Sequence, residues 1–172
     1  MFLKFIKDLS IKRVLNNSSD TVNYTEHEKK IQTVGVLIDE TTFSNKEEFI
    51  KQLLDYGISK ENLSVLVFKD NYRKKEEVID PHFSFKNISW LGTIESQQVK
   101  DFVSKDFDLL ISYYTENKAP LRLVTHFSKA KFKVGFVSID NRYNHFLIDT
   151  QIENYTLFTN EMFKYLRILN KL

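Results

Sequence analysis

The sequence predicts a three-layer α/β domain: a mainly parallel, Rossmann-like sheet with helices on both faces and room for an antiparallel strand at one edge. Two observations predict it. Four short runs are apolar at consecutive positions, Val34-Gly35-Val36-Leu37-Ile38, Val65-Leu66-Val67-Phe68, Leu109-Leu110-Ile111 and Val134-Gly135-Phe136-Val137, and strands apolar on both faces belong between two layers. Each run also leads through a polar loop to a helix-patterned stretch, the alternation that builds parallel crossovers.

Before the first strand, Phe2, Phe5, Ile6 and Leu9 recur at i, i+3, i+4 and i+7, which marks one face of a short helix. Continuing that helix would bring Arg13 into the apolar stripe, so it is expected to loosen near Lys12 and give way to the polar connector Asn16 to Thr21. Residues 1–30 therefore read as an N-terminal amphipathic helix with its connector, and 31–172 as a single α/β domain. After the first strand, Ser44-Asn45-Lys46-Glu47 has the spacing of a capping box. Phe49, Ile50, Leu53 and Leu54 give that helix its inward face, and Gly57 is placed to end it.

Asp70 to Glu77 reads as a charged loop, and Pro81 keeps the next segment out of a helix. Phe83 and Phe85 alternate with polar residues, whereas Ile88 and Trp90 take the opposite parity, which predicts a bulge or two short edge strands around Asn87. Val99, Phe102 and Val103 mark another helix. Pro120 suits the first turn of the next one, with Leu123, Val124, Phe127 and Ala130 inward. Tyr143 to Asp149 is a candidate last strand, and Met162, Phe163, Leu166 and Leu169 form the stripe of a closing helix.

At 172 residues, 42% hydrophobic and 14% aromatic, the chain suits one domain with a ring-rich core. A formal charge of +2 supplies no field that calls for nucleic acid. The basic run Arg73-Lys74-Lys75 is followed at once by Glu76 and Glu77. Cysteine is absent, which removes disulfides, thiolate nucleophiles and Cys-ligated metals. Charge interrupts the apolar N-terminus every few residues, unlike the core of a signal peptide, and a cytoplasmic protein is the expectation.

No cofactor is expected. Four glycines, two of them inside strands, build neither a dinucleotide turn nor a Walker loop. His27, His82, His126 and His145 are too dispersed for a metal site, and no Gly-x-Ser-x-Gly elbow occurs. What remains is position, since ligands of open parallel sheets gather beyond the carboxyl ends of the strands. Asp39 and Thr41, then Asp70, then Tyr113, then Asp140 and Arg142 fall there and form the candidate ligand crevice. Acids and hydroxyls at those places also cap helices and solvate loops in any α/β fold.

Met1-Phe2-Leu3-Lys4, Val34 to Asp39, Phe107-Asp108-Leu109-Leu110-Ile111-Ser112-Tyr113-Tyr114 and Ser128-Lys129-Ala130-Lys131-Phe132-Lys133-Val134-Gly135-Phe136 resemble an uncharacterised domain family of Bacteroidota. The likeness covers nearly the whole chain and implies a bacterial cytoplasmic protein with no assigned catalytic residue. The second half, from Asp108 to Phe136, is also similar to the acceptor-side domain of heptosyltransferase-like glycosyltransferases. Those enzymes hold the nucleotide-sugar mainly in a second Rossmann-like domain, for which this chain is too short. They also carry a Gly-Asp turn where this chain has Ile38-Asp39.

Two functions follow as expectations. The favoured one is a non-catalytic domain acting through a protein partner or as a homo-oligomer, by way of its N-terminal helix, with a membrane surface less favoured and no nucleic acid. The alternative is a small-molecule-binding or glycosyltransferase-like enzyme using the strand-end crevice.

Overall fold

The computed structural model describes residues 2–17, 30–70 and 80–172, with side chains from residue 5 onward. The connector residues 18–21, the charged loop residues 71–77 and the side chain of Phe2 lie outside the described residues. Strands β1 (Val34–Asp39), β2 (Leu63–Phe68), β3 (His82–Phe83), β4 (Leu109–Tyr113), β5 (Phe132–Phe136) and β6 (Phe146–Ile148) form one sheet in the order β3-β2-β1-β4-β5-β6. Every neighbouring pair is parallel. The four predicted runs occupy the four central strands, and the order reverses between β1 and β4.

Both edge strands are parallel too, so the antiparallel edge is not formed. The only antiparallel pairing among the described residues is an isolated bridge between Ile88 and Ile94. The cause is local. Ser84 and Asn87 cap each other's backbone N–H groups, closing a tight turn over Phe85–Asn87 where the parity switch predicts a bulge or a strand.

Helices α1 (Phe2–Asn17), α2 (Lys46–Asp55), α3 (Gln97–Ser104), α4 (Ala119–Phe127) and α5 (Tyr155–Ile168) complete the fold. Alternation along β1 divides the core: Val34, Val36 and Ile38 pack with Phe49 and Leu53 of α2 and with Phe158, Met162 and Leu166 of α5. Leu37 packs on the other face with Val99 and Phe102 of α3 and Leu121 and Val124 of α4. Gly57 ends α2 at a φ of +98° as expected. The capping box does not form: Asn45 is the N-cap residue, and its side-chain oxygen accepts a hydrogen bond from the Ser44 hydroxyl. Phe127 and Leu169 are turned outward, 44% and 38% exposed.

The first helix differs most from its expected form. It continues without loosening to Asn17 and buries Ile11 and Leu15, whereas Phe5 and Leu9 are exposed. Leu9 lies two residues from Ile11, roughly 200° around a helix, so the buried face is nearly opposite to the predicted one. The second half of α1 makes the contact, clustering with Ile88, Ala119, Leu123 and Tyr143. Gly92, at a φ of +82°, lies against the backbone of Ser10 and Ile11, and Lys7 donates to the Phe85 carbonyl.

Two residues set how β1 enters the sheet. Asp108 accepts from the backbone N–H groups of Gln32 and Thr33, from the Thr33 hydroxyl and from Lys131. Burial opposes its ionisation, but the Lys131 ammonium and those donors outweigh burial and hold the carboxyl well below the usual range. Gly35 lies beneath aromatic rings: a Cβ there would stand 2.8 Å from the Phe107 ring and 3.2 Å from that of Phe102.

Gly35→Ala should therefore cost about 1–3 kcal/mol, the penalty of overpacking a filled core, read as a lower denaturant midpoint at unchanged slope. Asp108→Asn should cost about 1.5–3 kcal/mol at pH 7. Because the folded-state pKa is depressed, this stabilisation is present above the ordinary carboxylate pKa of about 3.9 and is lost as pH falls below it. The gap between variant and parent should narrow under acid titration.

Candidate functional site

The reversal of strand order between β1 and β4 is where a doubly wound sheet opens its ligand crevice. Asp39, the last residue of β1, is completely buried there. Its Oδ1 accepts from the Thr41 backbone N–H at 3.0 Å and from the Thr41 hydroxyl at 2.5 Å. Its Oδ2 meets the Lys118 ammonium at 2.5 Å, and Lys118 also contacts the Thr41 hydroxyl. Lys118 is the N-cap residue of α4, with Glu116 3.3 Å away and the Phe68 ring beneath it at 5.5 Å. Asp39 and Thr41, both predicted site residues, are thus brought together, and the cation that joins them was not among the candidates.

Tyr113 is not at the crevice. The strand runs two residues beyond Ile111, and alternation turns Tyr113 into the α2/α5 face among Phe43, Phe49, Phe136 and Phe158. Its hydroxyl donates to the Ile152 carbonyl at 2.6 Å, and burial raises its pKa. Tyr114 faces the other layer, fully buried, with its hydroxyl 2.8 Å from that of Thr125. Neither ring can stack on a ligand in this arrangement.

Asp140 and Arg142 meet each other after β5. Arg142 donates to both Asp140 carboxylate oxygens, and buried Arg122 of α4 reaches the same carboxylate at 2.9 Å. The Arg142 hydrogen bonds hold Asp140 below the ordinary carboxylate range against the opposing effect of burial. Both guanidinium groups flank the Tyr143 ring. Asn117 ties this loop to the one after β4, donating to the Ser138 carbonyl and accepting from the Asp140 N–H. Asp70 lies half-buried beyond the end of β2.

A separate ion-pair group stands next to the crevice. Lys46 at the start of α2 lies 2.8 Å from Glu40 and 2.6 Å from Asp80, and Lys69 approaches Glu40 at 3.7 Å. Partial burial disfavours the Lys46 ammonium, but hydrogen bonds to Asp80 and Glu40 more than compensate and raise its pKa above the usual lysine range.

Three clefts among the described residues lie away from the β1/β4 crevice. One of about 490 Å³ runs along the outer side of β2, lined by Ile50, Leu54, Val65 and Phe102. Another, of about 420 Å³, opens at the amino end of β1, and a third, of about 360 Å³, lies beside β6. No group of three or more His, Asp or Glu side chains among the described residues could hold a metal ion. No helix among them is long and apolar enough to cross a membrane.

A family model covers residues 5–169, all of the sheet and every strand end just described. The chain belongs to DUF6913, a family of unknown function. Membership attaches no reaction to these residues. Neither the curated proteins nor the solved structures give a match.

One functional-looking group lies outside the candidates. Lys133 on β5 is buried, and its ammonium donates to the Thr125 and His126 carbonyls at 2.8 and 3.5 Å. It therefore caps the carboxyl end of α4, where the helix dipole favours a cation. Burial pushes its pKa down to about 8. The unfolded chain binds the proton more tightly, so stability should rise with pH between about 8 and the ordinary lysine pKa of about 10.4. Between pH 7 and 9.5 the parent should gain about 1–2 kcal/mol relative to Lys133→Met, measured by denaturant unfolding at each pH.

Proposed function

We propose that this chain is a non-catalytic α/β domain that works by associating with protein, a partner or another copy of itself, and not by chemistry at its strand ends. One observation carries the reading: at the point where a doubly wound sheet takes its ligand, the carboxylate of Asp39 is already engaged by the chain's own Thr41 and Lys118. Asp39 has its two oxygens engaged and is out of solvent. A general base needs an oxygen free to take a proton from a substrate.

Association has surface to work with. Phe5 and Leu9 on α1 are 60% and 49% exposed, and Trp90 and Leu91 on the turn that rests against α1 are 64% and 59% exposed. Phe5 and Leu9, one turn apart on α1, form an exposed apolar face, and exposed apolar patches mark interaction sites, which supports the N-terminal helix as a docking element. We further propose a bacterial origin among Bacteroidota and a cytoplasmic location, on the likeness of the opening and of Ser128 to Phe136 to the family of that group.

The alternative, a small-molecule-binding or glycosyltransferase-like enzyme, is favoured by the strand order and by the presence of an acid and a lysine at its reversal. The two readings part on stability. A structural plug predicts that Lys118→Met and Asp39→Ala each lower stability by about 1.5–3 kcal/mol, whereas polar groups kept for a ligand are commonly held at a cost to stability. Nucleotides and nucleotide-sugars should leave the melting curve flat, although a ligand at a hundred times its Kd would contribute about 2.7 kcal/mol. A saturable shift that disappears in Asp39→Ala or Lys118→Met would establish the enzyme-like reading instead.

A further inference from the structure

Among the described residues the edge strand β6 has a neighbour on one side only; its sequence, Phe146-Leu147-Ile148, carries neither charge nor proline, devices that shield natural edges from pairing, and Asp149 follows it at the end of the cleft. Its ladder to β5 is lengthened at both ends by backbone hydrogen bonds from His145 to Lys133 and from Val137 to Ile148. Along its outer side runs the cleft of about 360 Å³, lined by Phe146, Leu147, Leu157, Glu161 and Tyr165.

Helix α5, which forms the other wall, has two apolar faces. Met162, Phe163 and Leu166 are buried in the core, while Leu157, Tyr165 and Ile168 are 41%, 39% and 65% exposed. At about 100° per residue, Leu157, Glu161, Lys164, Tyr165 and Ile168 fall within roughly 100° of arc. The outer stripe is therefore apolar at its ends and charged at its centre.

We infer that β6 and this stripe of α5 form a two-fold interface with a second copy of the chain, joining two six-stranded sheets edge to edge. This rests on the association reading above and adds to α1 a second surface, specific to self-association. The pattern of the stripe selects the partner. Two copies of α5 running antiparallel about the point midway between Glu161 and Lys164 set Leu157 against Ile168 of the copy and Glu161 against its Lys164. The same two-fold operation, centred on Leu147, pairs the strands antiparallel and brings Phe146 opposite Ile148 of the copy, an aromatic and a β-branched side chain on one face. A surface that complements itself in shape and charge under one two-fold operation is what an isologous dimer requires.

The test is the mass of the full-length chain by analytical ultracentrifugation over micromolar to hundred-micromolar concentrations. A dimer is expected. Glu161→Lys and Lys164→Glu each place like charges across the seam and should weaken it by at least about tenfold. The double reversal restores complementarity and should recover the parental mass distribution, a rescue that loss of the intrahelical pair at 3.2 Å would not produce on a scale set by mass. Ile168→Asp, at an exposed position, should also give monomer.

A chain that stays monomeric throughout overturns the inference, as does a dimer indifferent to Glu161→Lys and Ile168→Asp. A dimer lost only in Phe5→Asp or Leu9→Asp, both at exposed positions, assigns self-association to α1 and overturns this surface while leaving the association reading intact. A saturable ligand shift at the Asp39 crevice, in contrast, counts against that reading and not against the dimer.

Discussion

A sheet whose six strands all run the same way must be covered on both faces, and that constraint organises the rest of this molecule. Parallel neighbours are joined by crossovers, so the covering layers come from the connections themselves. In this chain α2 and α5 lie over one face and α3 and α4 over the other, which leaves the polar side chains little room except at the strand ends. There they are used to fasten connections: Asp108 holds the chain entering β1, Asp39 holds α4 to β1, and Asp140 holds α4 to the loop after β5.

The strand ends have an architecture shared with ligand-binding folds. In a binding crevice, backbone donors and charges point at an empty space that a ligand completes. Here Asp39 and Lys118 complete one another, and two guanidinium groups share one carboxylate. Asp39 faces Lys118 and Asp140 faces two arginines, while Tyr113 and Tyr114 are drawn into opposite layers of the core. A fold carries no function by itself.

The central strands were legible because burial on both faces leaves a mark that needs no partner to interpret: Val36, Val67, Leu110 and Phe136 each sit inside a continuous apolar run. Local patterns whose meaning depends on a distant neighbour read less well. Phe5 and Leu9 form a better stripe than Ile11 and Leu15, yet the second pair is buried because α4 and the Gly92 turn lie on that side. Lys118 is unremarkable beside Ala119-Pro120 until the strand order makes β1 and β4 neighbours. Tyr113 reads as a loop residue only if β4 stops at Ile111; its parity with Leu109 and Ile111 is the signal that places it in the core.

The position of the single tryptophan of the sequence bears on how this protein can be watched. Trp90 stands on the turn beside α1, mostly in solvent, whereas Tyr113 is enclosed by phenylalanine rings and Tyr114 is wholly buried. Indole fluorescence should therefore report the wetting or covering of the α1 side, with native emission expected close to that of an unfolded chain. The core is read by near-ultraviolet circular dichroism of its immobilised tyrosines, so the two optical signals separate docking from folding without any label.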